Sequence, residues 1–357
     1  SAGWVWEAAG MEFGICVASR PGDLDYVVEA ESLGFTHCWM ADSQMIWSDV
    51  YAMLALAAER TTTMQLGTGV AVAGTRPSSV TAAALATINE LAPGRVFCGI
   101  GSGNTAMRIM GHKPMPIAEF DRYLTELRSL LDGDETTVHF RGADTPVRHL
   151  MPDHGFVRFE PRIPVHVSAF GPRSLELAAR HGDGLISSAP ADPDIIAALR
   201  GRIDRPRDEF AFSNLTTIVV TEDGEPHDSE RVRRQAGAFA IAAVHYAYDQ
   251  YAQFGRRPPA HMADFWPDYV ALVEETAPEL RHQRVHQGHN CWVLPEEEPF
   301  LTAELIDRSC LVGTPVELAT RIADLEAAGL DQIVVLPPLA EKDAVIRDVA
   351  TKVIPLL

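Results

Sequence analysis

The chain has 357 residues, 46% hydrophobic and 22% charged, with a formal net charge of −19. Such a composition belongs to a globular protein with a sizeable core, and its acidity argues against nucleic-acid or anionic-membrane partners, both of which select basic surfaces. Its apolar runs all fall short of the ~18 residues that a membrane-spanning helix needs.

The first ten residues have neither a basic n-region nor a long apolar core, so they do not read as a signal peptide. Met11 is a plausible native start, and residues 1–10 read as an N-terminal extension or cloning remnant ahead of one domain over 11–357. "FGICV" at 13–17 is a first apolar strand, and "GDLDYVVEAESLG" a helix with Leu24, Val27, Val28 and Leu33 on one face. Strand 35–40, helix 49–60 and strand 64–73 follow. A helix from Pro77 ends before Gly94, the usual polarity of those two residues, and leads into strand 95–101. Residues 116–131 form an amphipathic helix, and 132–161 read as irregular. Strand 163–171, a helix from Pro172, strand 183–188, a helix near 192–204 and strand 209–221 come next. A long helix over 228–254, a helix over 314–329 and a last strand over 332–338 complete the series.

Eight short, almost wholly apolar strands alternating with helices imply a parallel sheet buried on both faces. At this length the pattern predicts a TIM (β/α)8 barrel. The stretch 255–310, rich in Pro, His and aromatics, reads as an insertion or lid at the C-terminal mouth, where Phe265, Trp266, Tyr269 and Trp292 either cover substrate or simply pack. The five cysteines are scattered with no CxxC pair and read as buried, reduced thiols of a cytoplasmic protein.

The barrel places its chemistry just after the strands. Those positions hold Asp42 and Ser43, then Gly101, Ser102, Gly103 and Asn104, then Ser168 to Ser174, then Ser187 and Ser188. No Ser-His-Asp order, HExxH or phosphate-cradling Walker loop is visible. "FGPRS" opens a helix directly: free amides at a helix start attract phosphate, Gly171 admits a close ligand and Arg173 adds charge. The same stretch also fits an ordinary loop with proline in the first turn. Asp42 reads either as a site carboxylate or as a helix cap. "HQGH" sets His286 and His289 three apart, but no CxxC pair or acidic partner lies near and Gly288 interrupts the spacing, so no metal is expected. Either histidine is a candidate proton donor or substrate contact; a structural role is the alternative. Gly67, Gly69 and Gly74 weaken a central strand for no local reason, which implies a close approach to its backbone.

"LGTGVAVAGTRPSSVTAAALATINELAPGRVFCGIGSGN", "SAFGPRSLELAARHGDGLISS" and the C-terminal block from "HQGHNCW" to "DQIVV" together resemble the bacterial luciferase-like superfamily of flavin and deazaflavin oxidoreductases. The C-terminal block is similar to its methylenetetrahydromethanopterin-reductase-like branch. The resemblance implies coenzyme F420 as cofactor, and hydride transfer to or from a small-molecule substrate. It implies a non-prolyl cis peptide at Gly69–Val70 against which the ring rests, with Gly67 merely admitting a neighbour. It places Asp42 near the ring, and Ser102, Gly103 and Asn104 on the ring and ribityl chain. It places Ser168, Ala169, Phe170, Gly171, Pro172 and Arg173 on the phosphate. Many deazaflavin members carry His where Ser43 stands and some carry Glu where Asn104 stands, so the proton-transfer role falls to Asp42, His286 or His289. The resemblance also implies a homodimer through helices flanking the barrel. One alternative is an FMN-dependent monooxygenase fed by a partner flavin reductase. Another is a cofactor-free phosphate-binding lyase or isomerase, against which stands the scarcity of lysine: Lys113, Lys342 and Lys352 alone, none following a strand.

Overall fold

The computed structural model describes residues 10–357; the expectation for the N-terminal extension lies outside these residues except at Gly10. The first half runs β1 (Glu12–Val17), α1 (Leu24–Ser32), β2 (His37–Met40), α2 (Val50–Arg60), β3 (Gln65–Thr68), β4 (Ala71–Val72), α3 (Ser78–Leu91), β5 (Val96–Gly101), α4 (Asn104–Arg108) and α5 (Ile117–Leu131). Then come β6 (Thr136–Phe140), β7 (Ala143–Val147), β8 (Val165–Ser168), α6 (Pro172–His181), β9 (Gly184–Ser187), α7 (Pro193–Arg200), β10 (Ala211–Thr216), β11 (Ile218–Val220) and α8 (Glu230–Phe254). The last part holds α9 (Trp266–Glu274), α10 (Arg281–Arg284), α11 (Ala303–Ser309), β12 (Leu311–Gly313), α12 (Pro315–Ala327), β13 (Gln332–Val335) and α13 (Lys342–Asp348).

Strands β1, β2, β3, β5, β8, β9, β10 and β13 pair in parallel round a ring, and the pairing of Leu66 with Val96 and Gly67 with Phe97 closes it. The TIM barrel read from the sequence is present. Between barrel and helices lies one continuous apolar layer, to which α5 contributes Phe120, Tyr123, Leu124, Leu127, Leu130 and Leu131 at spacings of three and four. Start signals act locally: Asp49 caps α2 through the amides of Tyr51 and Ala52, and Thr314 with Glu317 forms a capping box on α12.

Three elements differ from the sequence expectation. The third strand is interrupted at Gly69–Val70, whose peptide bond is cis, and resumes as β4. The seventh strand leaves the barrel after Thr216, and its continuation β11 pairs in parallel with β12, a strand with no sequence expectation. Residues 132–161 contain the hairpin β6–β7, turned by Arg141 and Gly142 at positive φ (53° and 78°). Both its faces are largely exposed, so no apolar alternation marked it.

The barrel lumen is filled by an aromatic plug. Trp39 from β2 meets Phe97 from β5 edge-on with centroids 4.5 Å apart, and His166 from β8 lies against both rings at 5.4 and 5.6 Å. The indole N–H donates to Gln332 Oε1 (3.0 Å), which also accepts from Ser213 Oγ (3.1 Å). Glycines make the room. A Cβ on Gly67 would stand 2.3 Å from the Phe97 ring and 2.5 Å from its carbonyl oxygen; one on Gly69 would stand 2.6 Å from Trp39 Cβ. Gly99 and Gly184 are crowded in the same way by Thr68 O and the His166 ring.

Gly67→Ala should therefore destabilise the fold by about 2 kcal/mol, within the usual range for overpacking, because a carbonyl oxygen cannot rotate away as a side chain can. Urea unfolding monitored by Trp fluorescence checks this; a change under ~0.5 kcal/mol would contradict the packing account.

Candidate active site

Above the plug, at the C-terminal ends of the strands, the barrel opens into a cavity of about 1260 Å³. That exceeds the ~300–1,000 Å³ typical of single-ligand pockets. Small or apolar groups make the floor: Cys16, Gly69, Val70, Gly101, Ser168 and Leu336. The Cys16 thiol, pushed up to about 12 by burial, stays protonated and offers no nucleophile there. All five cysteines are buried and unpaired. The roof comes from α8 and from the segment between α8 and α11, whose own apolar core joins Val244, Tyr269, Leu305 and Ile306.

Most residues singled out in the sequence line this cavity: Asp42, Gly69 and Val70; Ser102, Gly103 and Asn104; Ser168, Phe170 and Gly171; and His286 and His289. Ala169, Pro172 and Arg173 do not. Ala169 is buried with its amide on Ile186 O, Pro172 opens α6, and Arg173 is exposed. Gly103 holds φ +88° at the start of α4, where a Cβ would strike Val72 and Met107. The amides of Phe170 and Gly171 donate to Ser174 Oγ (3.2 and 3.1 Å), and the first intrahelical bond runs from Leu175 N to Gly171 O (3.0 Å). The amides of Arg173 and Ser174 thus precede the helical ladder. Beside Gly171 the space is open.

Asp42 does not cap a helix; Asp49 does. The Asp42 Oδ2 accepts from Arg76 Nη1 (2.6 Å) and from the Val72 amide (3.2 Å). Burial pushes this carboxyl above its ordinary range against the pull of Arg76. Arg76 also reaches Asp49 Oδ2 (3.3 Å) and lies over the Tyr51 ring. The carboxylate therefore ties β2 to β4 across the interrupted strand.

The opposite wall is a second network. Arg108 donates to Asn104 Oδ1 (2.8 Å) and Gln253 Oε1 (2.5 Å) and faces Asp249 at 3.6 Å. Asp249 Oδ2 lies 3.4 Å from His286 Nε2. His245 bonds Glu297 Oε1 (3.0 Å), which Arg284 approaches at 3.6 Å. Burial, with His286 and His245 beside it, holds the His289 imidazole well below its usual range, so it is neutral. Arg76, Arg108, Asp249 and Glu297 carried no expectation from the sequence. The spacings His245–Asp249 and Asn104–Arg108, four residues on a helix, are the only local signals they leave. Among the described residues no cluster of His, Cys, Asp or Glu could hold a metal, and no helix is long and apolar enough to cross a membrane.

A family model described as luciferase-like monooxygenase matches residues 11–332. The chain belongs to that family, and is an enzyme. It is 28% identical to a 5,10-methylenetetrahydromethanopterin reductase of Archaeoglobus fulgidus, over 94% of this chain and 96% of the relative. It is 26% identical to an F420-dependent glucose-6-phosphate dehydrogenase of Kineococcus radiotolerans, over 94% and 93%. Among solved structures, the coenzyme F420 dependent tetrahydromethanopterin reductase from Methanopyrus kandleri shares the fold with a TM-score of 0.69 at 19% identity, covering 97% of this chain and 99% of that one. The FMN-bound type II Baeyer-Villiger monooxygenase of Pseudomonas putida shares it with a TM-score of 0.61 at 14% identity, covering 97% and 98%.

Arg76→Met leaves Asp42 without its counter-ion. Breaking a fully enclosed pair costs ~3–5 kcal/mol; Arg76 still touches solvent, so about 2 kcal/mol is expected at neutral pH. A carboxyl raised by folding binds more protons in the native than in the unfolded state, so its penalty grows as pH climbs from ~4. Urea midpoints should show the variant's deficit larger at pH ~8 than at pH ~5, and Asp42→Asn in the same chain should recover part of it. A deficit independent of pH would contradict the assignment.

Proposed function

We propose that this enzyme transfers a hydride between coenzyme F420 and a small organic substrate in the cavity above the plug. The observation that carries the reading is the floor: bare backbone at Gly69–Val70 and Gly101, flanked by Ser102 and Ser168, beside the open first turn of α6. A flat ring needs the first and a phosphorylated tail the second. The cavity is also large enough for substrate above such a ring. Two relatives matched over more than nine-tenths of both chains carry F420- or methanopterin-linked names, which supports the same reading.

The deazaflavin supplies two-electron hydride chemistry when bound. The chain's own residues do the rest. Gly69 and Val70 offer a flat seat, Ser102 and Asn104 face the ring edge and its ribityl chain, and the first turn of α6, which reaches the cavity at Gly171 and Ser174, meets the phosphate. Asp42 orders the seat through Arg76 and the Val72 amide. No titratable group stands at Ser43 or Asn104 and Asp42 is bound to Arg76 and the Val72 amide, so proton handling falls to the roof, where His286 and His289 face the cavity. Homodimerisation through the flanking helices is part of the proposal: Leu56 of α2 and Val80 and Leu91 of α3 are exposed at 46, 50 and 43% and supply apolar surface there. Sedimentation should give twice the chain mass, and a monomer at micromolar concentration would remove that part.

Titration of the purified protein with F420 should quench the cofactor's fluorescence saturably. A Cβ on Gly101 would already stand 3.1 Å from Val70 Cγ2 and 3.4 Å from Ser168 Cβ, so Gly101→Val fills the seat. We expect it to weaken F420 at least ~10-fold, a loss of ~1.4 kcal/mol. Tight FMN binding with no response to F420 would overturn the proposal in favour of the flavin monooxygenase reading.

A further inference from the structure

The two walls of the cavity differ in kind. The floor is small and apolar; the roof carries polar atoms that the protein leaves without hydrogen bonds. His286 is 4% exposed, and neither ring nitrogen has a hydrogen-bond partner in the protein. Its approach to Asp249 is an ion-pair distance without bonding geometry. His245, 1% exposed, leaves Nδ1 unpartnered after bonding Glu297 through Nε2. His289 Nδ1 and Asn290 Oδ1 are likewise without partners, while Asn290 Nδ2 is engaged with His289 Nε2 at 3.0 Å. All four side chains line the same cavity. Buried polar atoms are nearly always satisfied, and each one left bare costs ~1–3 kcal/mol, so a substrate that displaces solvent from this face must satisfy these four residues.

Behind this face Asp249 faces Arg108 at 3.6 Å, and Glu297 bonds His245 and faces Arg284 at 3.6 Å, while Arg284 also bonds Glu296 and Asp249 Oδ2 makes no hydrogen bond. An anion entering here would meet these carboxylates and would lose its hydration. The exposed Arg256, Arg257 and Arg308 also line the cavity, but as solvent-facing side chains, not as part of this buried face. A hydrocarbon would leave every bare atom unsatisfied.

We propose that the roof formed by His245, His286, His289 and Asn290 recognises a neutral substrate group that both donates and accepts hydrogen bonds, as the edge of a carboxamide or lactam does. An imidazole nitrogen donates or accepts according to its tautomer, and Asn290 Oδ1 adds an acceptor; an amide edge answers with one of each. Such sites reject analogues that lack the matching group because their own polar atoms are then left bare. The inference rests on the reading of this cavity as the substrate site, and it narrows the substrate class.

The test uses three probes of nearly equal size: acetamide, acetate and acetone. The full chain, labelled with 15N-histidine, is titrated while imidazole correlations are followed by NMR; the His286 signals are those missing in His286→Phe. Acetamide should shift His286 and His289 saturably and bind at least ~5-fold tighter than acetate or acetone. His286→Phe, or Asn290→Ala should the first variant not fold, should weaken acetamide by a similar factor. Equal or tighter binding of acetate or acetone, no histidine response to acetamide, or an unchanged acetamide affinity in the variants would each overturn the proposal. F420 titration run in parallel separates the two claims. F420 binding without the acetamide response removes the roof site alone, whereas the acetamide response without F420 binding removes the cofactor assignment and leaves the roof site standing.

Discussion

The structure depends on how close the backbone of its strands comes to Trp39 and Phe97. Two large rings and an imidazole occupy the barrel lumen because Gly67 and Gly69 on the third strand, Gly99 on β5 and Gly184 on β9 present no Cβ toward them. Close packing of that kind leaves no slack, since interiors at crystal-like density transmit the loss or gain of a single methyl group. The plug ends at the level of Gly69–Val70, so the same contacts that stabilise the barrel also set the height and flatness of the cavity floor. Stability and site geometry are, at this point, one constraint.

From that floor the cavity is built by opposition. The strand ends bring small side chains and backbone; α8 and the segment after it bring histidines, carboxylates and an asparagine. The two halves have separate apolar cores. They meet electrostatically through α4, whose Arg108 reaches from Asn104 on the strand side to Asp249 on the roof. A five-residue helix set by the left-handed Gly103 therefore couples the two walls. Asp42 performs the equivalent task lower down, spanning β2 and β4 through Arg76 and the Val72 amide.

The barrel was legible because its strands are continuous apolar runs and its helices carry Pro and Gly at their proper ends; neither signal depends on distant residues. The glycines of the third strand were legible as an anomaly: Gly69 lines the cavity and abuts Trp39, Gly67 admits its neighbour Phe97, and Gly74 admits Met107. Asp42 was visible as a residue at a strand end but not as the partner of Arg76, because a pair separated by thirty-four positions leaves no periodicity. The roof network is of the same kind: Glu297 meets His245 across fifty-two residues. β11 and β12 were hidden for another reason. "LTTIVV" is strand-forming and largely β-branched throughout, so nothing in the pattern marks Thr217 as the point where the chain leaves the barrel.

A structure of the protein crystallised with F420 tests the central claim most directly. The ring should lie flat against Gly69–Val70, with the phosphate at the first turn of α6 beside Gly171 and Ser174 and open space between the ring and His286. A ring seated instead against the roof histidines, or a cofactor whose phosphate lies away from the first turn of α6, would contradict it.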